Sequence, residues 1–120
     1  MKIIVLDGKS HSGKTTTLTD VFIKIAPKSP TKKRGITKND FEAVFSYKNK
    51  KIALCTGGDT IKYIGGSIKK YAQQTIDVLI IARNNEKKNS PGEFFLADEI
   101  QIVHKTGNNQ KDAQAIINKI

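Results

Sequence analysis

Residues Gly8-Lys9-Ser10-His11-Ser12-Gly13-Lys14-Thr15 form the pattern G-x-x-x-x-G-K-T, immediately after the apolar run Ile3-Ile4-Val5-Leu6. Nothing else in the chain limits its fold as tightly. The apolar run has the length and branching of a buried strand, and Leu18, Val21, Phe22 and Ile25 then recur at helical spacing. A strand must therefore pass into a helix through a turn of small residues. Gly8 and Gly13 permit backbone angles and close approaches that a Cβ obstructs, so successive amide N–H groups can curl around an anion. A helix opening near Gly13 and Lys14 aims its unpaired N–H groups and positive dipole end at the same point. Lys14 supplies an ammonium for β- and γ-phosphates, and the Thr15 hydroxyl stands where it can ligate Mg²⁺. Thr16 adds a hydroxyl or backbone contact nearer an α-phosphate. Lys9, Ser10, His11 and Ser12 fill the variable positions of the cradle, His11 as a solvated residue rather than a base. The expected occupants are a nucleoside triphosphate and Mg²⁺.

With 120 residues the chain has room for a single domain, residues 1–120, around one sheet. The apolar runs reach four or five residues, far short of a membrane span. Met1-Lys2 followed by four apolar residues and Asp7 is too short for a signal peptide and fits a first strand better. Cys55 is the lone cysteine, which rules out an internal disulfide, and no Cys/His cluster has zinc spacing. These features lead to the expectation of a cytoplasmic protein without a membrane partner. The formal charge of +10 favours acidic or nucleic-acid partners, although no aromatic-interleaved basic patch accompanies it. A solvated lysine-rich surface accounts for it equally.

Along the chain, Ala26-Pro27 ends the first helix, and Lys28 to Lys38, with Pro30 and Gly35, reads as a loop. Phe41 to Tyr47 and Ile52 to Cys55 read as a hairpin around Lys48-Asn49-Lys50-Lys51. A second glycine-rich turn, Thr56-Gly57-Gly58-Asp59, follows. Ile61, Ile64, Ile68, Tyr71 and Ala72 mark another helix, despite Gly65-Gly66. Asp77 to Ala82 is nearly continuous in apolar residues, the signature of a strand covered on both faces. A short helix through Phe94 to Asp98, a strand over Ile100 to His104 and a last helix striped by Ala113, Ile116, Ile117 and Ile120 complete the order. The expected fold is α/β in three layers: about five strands, mostly parallel with one antiparallel, and helices on both faces. Ligands in such sheets sit beyond the carboxyl ends of the strands, where the two glycine-rich turns and Arg83 to Asn85 fall. Two strand edges leave dimerisation through the hairpin or last strand open, with no apolar patch to motivate it.

The octet, a Walker A sequence, resembles that of the P-loop NTPase superfamily, and the element order is similar to its kinase–GTPase branch. Arg34-Gly35-Ile36-Thr37, the hairpin and Cys55-Thr56-Gly57-Gly58-Asp59 look like the R-G-I-T switch and D-x-x-G turn of translation-factor GTPases. The resemblance implies the three-layer P-loop fold, with Lys14 and Thr15 as described above. It further implies Thr37 as a switch threonine on Mg²⁺ and the γ-phosphate, and Gly58 as a backbone donor to that phosphate. The chain departs from the pattern at Cys55, which stands where the family carries an acid. His104-Lys105-Thr106-Gly107 stands at the base-reading strand end but lacks the aspartate that reads guanine, which leaves adenine by elimination. Asp59 is the acid nearest the second strand edge. Either it acts on a Mg²⁺-bound water or positions an attacking group, or it caps the following helix. Asp7 serves either the turn or the metal. Arg83 reaches either a phosphate or the surface, and Cys55 is simplest as a small core residue.

The leading functional expectation is a protein that binds ATP with Mg²⁺ and hydrolyses it slowly or acts as a switch. Lys14 and Asp59 are its candidate catalytic residues. A small-molecule kinase for nucleosides or nucleotides is the alternative, set back by only two arginines and no separate lid segment. A non-catalytic module that uses nucleotide to shape a basic surface for nucleic acid is the third.

Overall fold

The structure is a computed structural model that describes residues 1–26, 40–57, 60–85 and 91–120, together with the main chain of 32–35. Six strands, β1 (Lys2–Gly8), β2 (Lys32–Gly35), β3 (Phe41–Tyr47), β4 (Lys50–Cys55), β5 (Val78–Asn84) and β6 (Glu99–His104), form one sheet in the order β2-β3-β4-β5-β1-β6. Strands β4, β5, β1 and β6 are mutually parallel, and β3 runs antiparallel to both of its neighbours. The apolar runs of β1 and β5 sit in the middle, in register from Lys2 opposite Val78 to Gly8 opposite Asn84. A strand flanked by parallel neighbours is covered on both faces, which is why these two runs lack polar alternation.

The covering layers follow the strand pleat. Ile4, Leu6, Ile80 and Ala82 pack with Leu18, Val21 and Ile25 of α1 (Lys14–Ile25) and Ala113 and Ile116 of α3 (Asn109–Lys119). Ile3, Val5, Leu79 and Ile81 point the other way, onto Ile64, Ile68 and Tyr71 of α2 (Ile61–Ala72). Helices therefore cover both faces, as expected. The segment 28–38 is not wholly a loop, because residues 32–35 pair with β3 as a sixth strand. Its sequence, Lys-Lys-Arg-Gly, offers no apolar alternation to betray a strand, and a short basic segment is the kind found at a sheet edge. The hairpin turn is tighter than expected: β4 begins at Lys50, and Lys48 and Asn49 take the positive φ values of 49° and 64° that a two-residue turn requires. Gly92–Leu96 is a short 3-10 helix, displaced towards the N-terminus from the helix expected over Phe94 to Asp98.

Helix α2 tolerates its paired glycines for two different reasons. A Cβ on Gly65 would lie 2.5 Å from Glu93 Oε2, so this position lets the 3-10 helix approach. Gly66 faces open space. The N-cap of α2 is Thr60, whose hydroxyl accepts from Tyr63 N at 3.1 Å. Among the described residues, no helix is long and apolar enough to cross a membrane.

Candidate functional site

Strand β1 ends at Gly8 and α1 begins at Lys14, so the intervening turn lies at the carboxyl edge of the sheet. The two glycines of the octet are needed for different reasons, Gly8 for close approach of neighbouring side chains and Gly13 for its backbone angle. A Cβ on Gly8 would fall 2.7 Å from Lys105 Cβ and 2.8 Å from Ser12 Oγ. Gly13 caps α1 with φ 91°, left-handed geometry that strains an L side chain. His11 also turns left-handed, with φ 60°, so the chain reverses its curl twice within three residues. Such reversals gather N–H groups on the concave side of a turn. Helix α1 has no side-chain cap and no acid in its first turn, which leaves its amino end open to an anion.

Lys14 is buried, and its Nζ donates to the carbonyls of Gly8 at 3.1 Å and Lys9 at 2.7 Å. The ammonium thus lies across the mouth of the turn, held by backbone oxygens. Ser12 N and Oγ both donate to Lys9 O, at 3.2 and 2.6 Å, and tighten the same turn. A cavity of about 350 Å³ opens beside it, lined by residues 10–16 with Asp40 and Thr56. That volume lies at the small end of ligand pockets. Ser10, His11, Ser12, Gly13, Lys14, Thr15 and Thr16 are brought together as expected, with His11 exposed. Gly8 and Lys9 contribute through their carbonyls. The expected roles of Thr37, Gly58 and Asp59 lie outside the described residues.

Asp40 is not foreseen from the sequence, and Thr56, expected at this edge in the second glycine-rich turn, carries no assigned role there. Asp40 Oδ1 stands 3.1 Å from Thr15 Oγ1 and 3.2 Å from Thr56 Oγ1. Strand β3 is antiparallel to β4, so its first residues reach the edge where the parallel strands end. Phe22, seven residues after Thr15 and therefore on the same stripe of α1, packs edge-on against Phe41 with centroids 5.3 Å apart. That contact seats the start of β3 against the stripe of α1 that also carries Thr15. The only signal in the sequence was an acid at the first residue before a strand.

The other candidates are tied into the scaffold. Arg83 Nε donates to Asp7 Oδ1 at 3.1 Å, a pair in register across β1 and β5, so each occupies the other. Lys105 and Asp112 form a buried ion pair at 2.8 Å, and Asp112 also accepts from Thr106 N and Oγ1 at 2.9 and 2.8 Å. Burial alone raises the Asp112 pKa, but the hydrogen bonds from Lys105 and Thr106 outweigh it and the net direction is downward. The turn after β6, which stands where the GTPase likeness would put base-reading residues, is thus folded onto α3, and Lys105 covers the underside of Gly8. Cys55 is fully buried, and burial followed by the nearby Glu42 carboxylate pushes its thiol pKa well up. It offers neither a thiolate nor a carboxylate.

Among the described residues, no group of three or more His, Cys, Asp or Glu is placed to hold a metal. Magnesium shared with phosphates needs no such group, since one or two protein oxygens suffice. No protein-family model, curated protein or solved structure matches the chain.

Proposed function

We propose that the chain is a P-loop protein that binds a nucleoside triphosphate with Mg²⁺ and acts as a slow hydrolase or nucleotide-dependent switch. The observation that carries this reading is the β1–α1 turn. Its left-handed Gly13 starts an uncapped helix, and Lys14 bridges two carbonyls at the mouth. That arrangement supplies amides, a helix dipole and an ammonium to one point, which is what a polyphosphate needs. The Thr15 hydroxyl lies in the cavity and is a hard oxygen donor, the class that suits magnesium. When bound, the ion would neutralise charge on the phosphate oxygens. Lys14 would move from carbonyls to phosphate oxygens, and the amides of residues 13–15 would hold charge that grows during phosphoryl transfer. Slow turnover is favoured because the Cys55 position provides no carboxylate to order an attacking water. ATP is the first nucleotide to test.

Titration of a fluorescent ATP analogue tests the reading. Wild type should bind below millimolar concentration with Mg²⁺. Lys14→Ala should weaken binding about ten- to a hundredfold, the range of a lost charge-assisted hydrogen bond. No binding at millimolar nucleotide ends the proposal. Transfer to an acceptor far faster than to water would replace the switch with a kinase.

A further inference from the structure

We infer that Asp40 supplies the carboxylate of the magnesium site, in place of an acid at the end of β4. The inference rests on the nucleotide reading above and goes beyond it by assigning the metal's protein ligands to Thr15 and Asp40, with Thr56 positioning the carboxylate.

Three observations carry it. The first is charge. The cavity is built for an anion, yet Asp40 is the one acid among the described residues that line it. A carboxylate beside a bound polyphosphate is repelled unless a cation lies between them. The second is hydroxyl chemistry. Thr15 Oγ1 is 3.1 Å from Asp40 Oδ1, and a hydroxyl has one proton and two lone pairs. Donating that proton to Asp40 leaves the lone pairs available to a cation and enriches them in charge. The third is redundancy. Phe41 N donates to Thr56 Oγ1 at 2.8 Å, and Thr56 N donates to Phe41 O at 3.0 Å. Strand β3 is therefore fastened to β4 by these two backbone-anchored bonds as well as by the Thr56–Asp40 contact, so the carboxylate is not the sole tie between the strands.

Repulsion between the Asp40 carboxylate and a bound polyphosphate predicts a change of sign. Affinity for the fluorescent ATP analogue would be measured in excess Mg²⁺ and in EDTA, for wild type, Asp40→Asn and Asp40→Glu. Asp40→Asn should bind metal-free nucleotide more tightly than wild type, because a like charge has gone. In Mg²⁺ it should bind less tightly, each effect being on the order of tenfold. Asp40→Glu keeps the charge and should retain metal dependence. Mn²⁺ paramagnetic resonance with a non-hydrolysable nucleotide gives a second readout, in which Asp40→Asn should lose most of the bound-ion signal. Equal metal dependence in wild type and Asp40→Asn overturns the assignment, as does equal loss of binding in Mg²⁺ and EDTA, which is the signature of a structural role. In either case Lys14-dependent binding by wild type would leave the nucleotide reading standing. Absence of any nucleotide binding by wild type removes both.

Discussion

At the scale of single residues, the cavity and the scaffold treat charge in opposite ways. Lys14 is buried on carbonyl oxygens, which under the proposed function a phosphate would displace. Lys105 is buried on a carboxylate that nothing is expected to displace, with side chains 2% and 3% exposed in the Lys105–Asp112 pair. Breaking one side of such a pair leaves the other charge desolvated, so Asp112→Ala should cost about 3 kcal/mol in urea unfolding at neutral pH. Because folding lowers the Asp112 pKa, its contribution is complete above the ordinary carboxylate value. It is lost as pH falls through the lowered folded value. The gap between wild type and Asp112→Asn should therefore narrow on acidification; a gap independent of pH contradicts this account of the pair. The difference between the two lysines was invisible in the sequence, where Lys105 sits in a turn like many others. Its partner is found only once α3 has packed against α1 and β6.

At the scale of elements, what was legible followed from local pattern, and what was missed depended on pairing. The β1–turn–α1 unit was readable because an apolar run, two glycines and a helical stripe are contiguous. Strand β5 was readable because both of its faces are buried. Strand β2 was not, since its residues gain a strand's hydrogen bonds only from β3. Asp40 was missed for a related reason: 25 residues separate it from Thr15, and only the reversed direction of β3 joins them. In helix α2 the two adjacent glycines, alike in sequence, have different surroundings. Gly65 has a neighbour that uses the missing side chain and Gly66 has none. Gly66→Ala should therefore stabilise the protein by roughly 0.5–1 kcal/mol, the helix-propensity gain, with a matching rise in thermal midpoint. A loss of stability would mean that Gly66 faces a contact the structure does not show.

At the scale of the whole molecule, one edge collects the chemistry. Parallel strands β4, β5, β1 and β6 end there, and antiparallel β3 begins there, so turns from distant parts of the sequence converge on one cavity. Two apolar layers hold that edge in place from opposite faces of the sheet. The net charge of +10 draws polyanions to the surface at large, so affinity alone does not distinguish a built site from diffuse attraction. The basic face of α2 around Lys69 and Lys70 is an obvious competitor.

Location is therefore what matters, and an amide-resolved NMR titration with magnesium and tripolyphosphate reads it directly. Saturable shifts should appear first at the backbone amides of residues 10–16, with those of Gly13, Lys14 and Thr15 among the largest, and Lys14→Ala should suppress them. Shifts confined to the α2 face, or weak non-saturating changes spread over the lysines, would contradict the claim that the turn after β1 is a phosphate cradle.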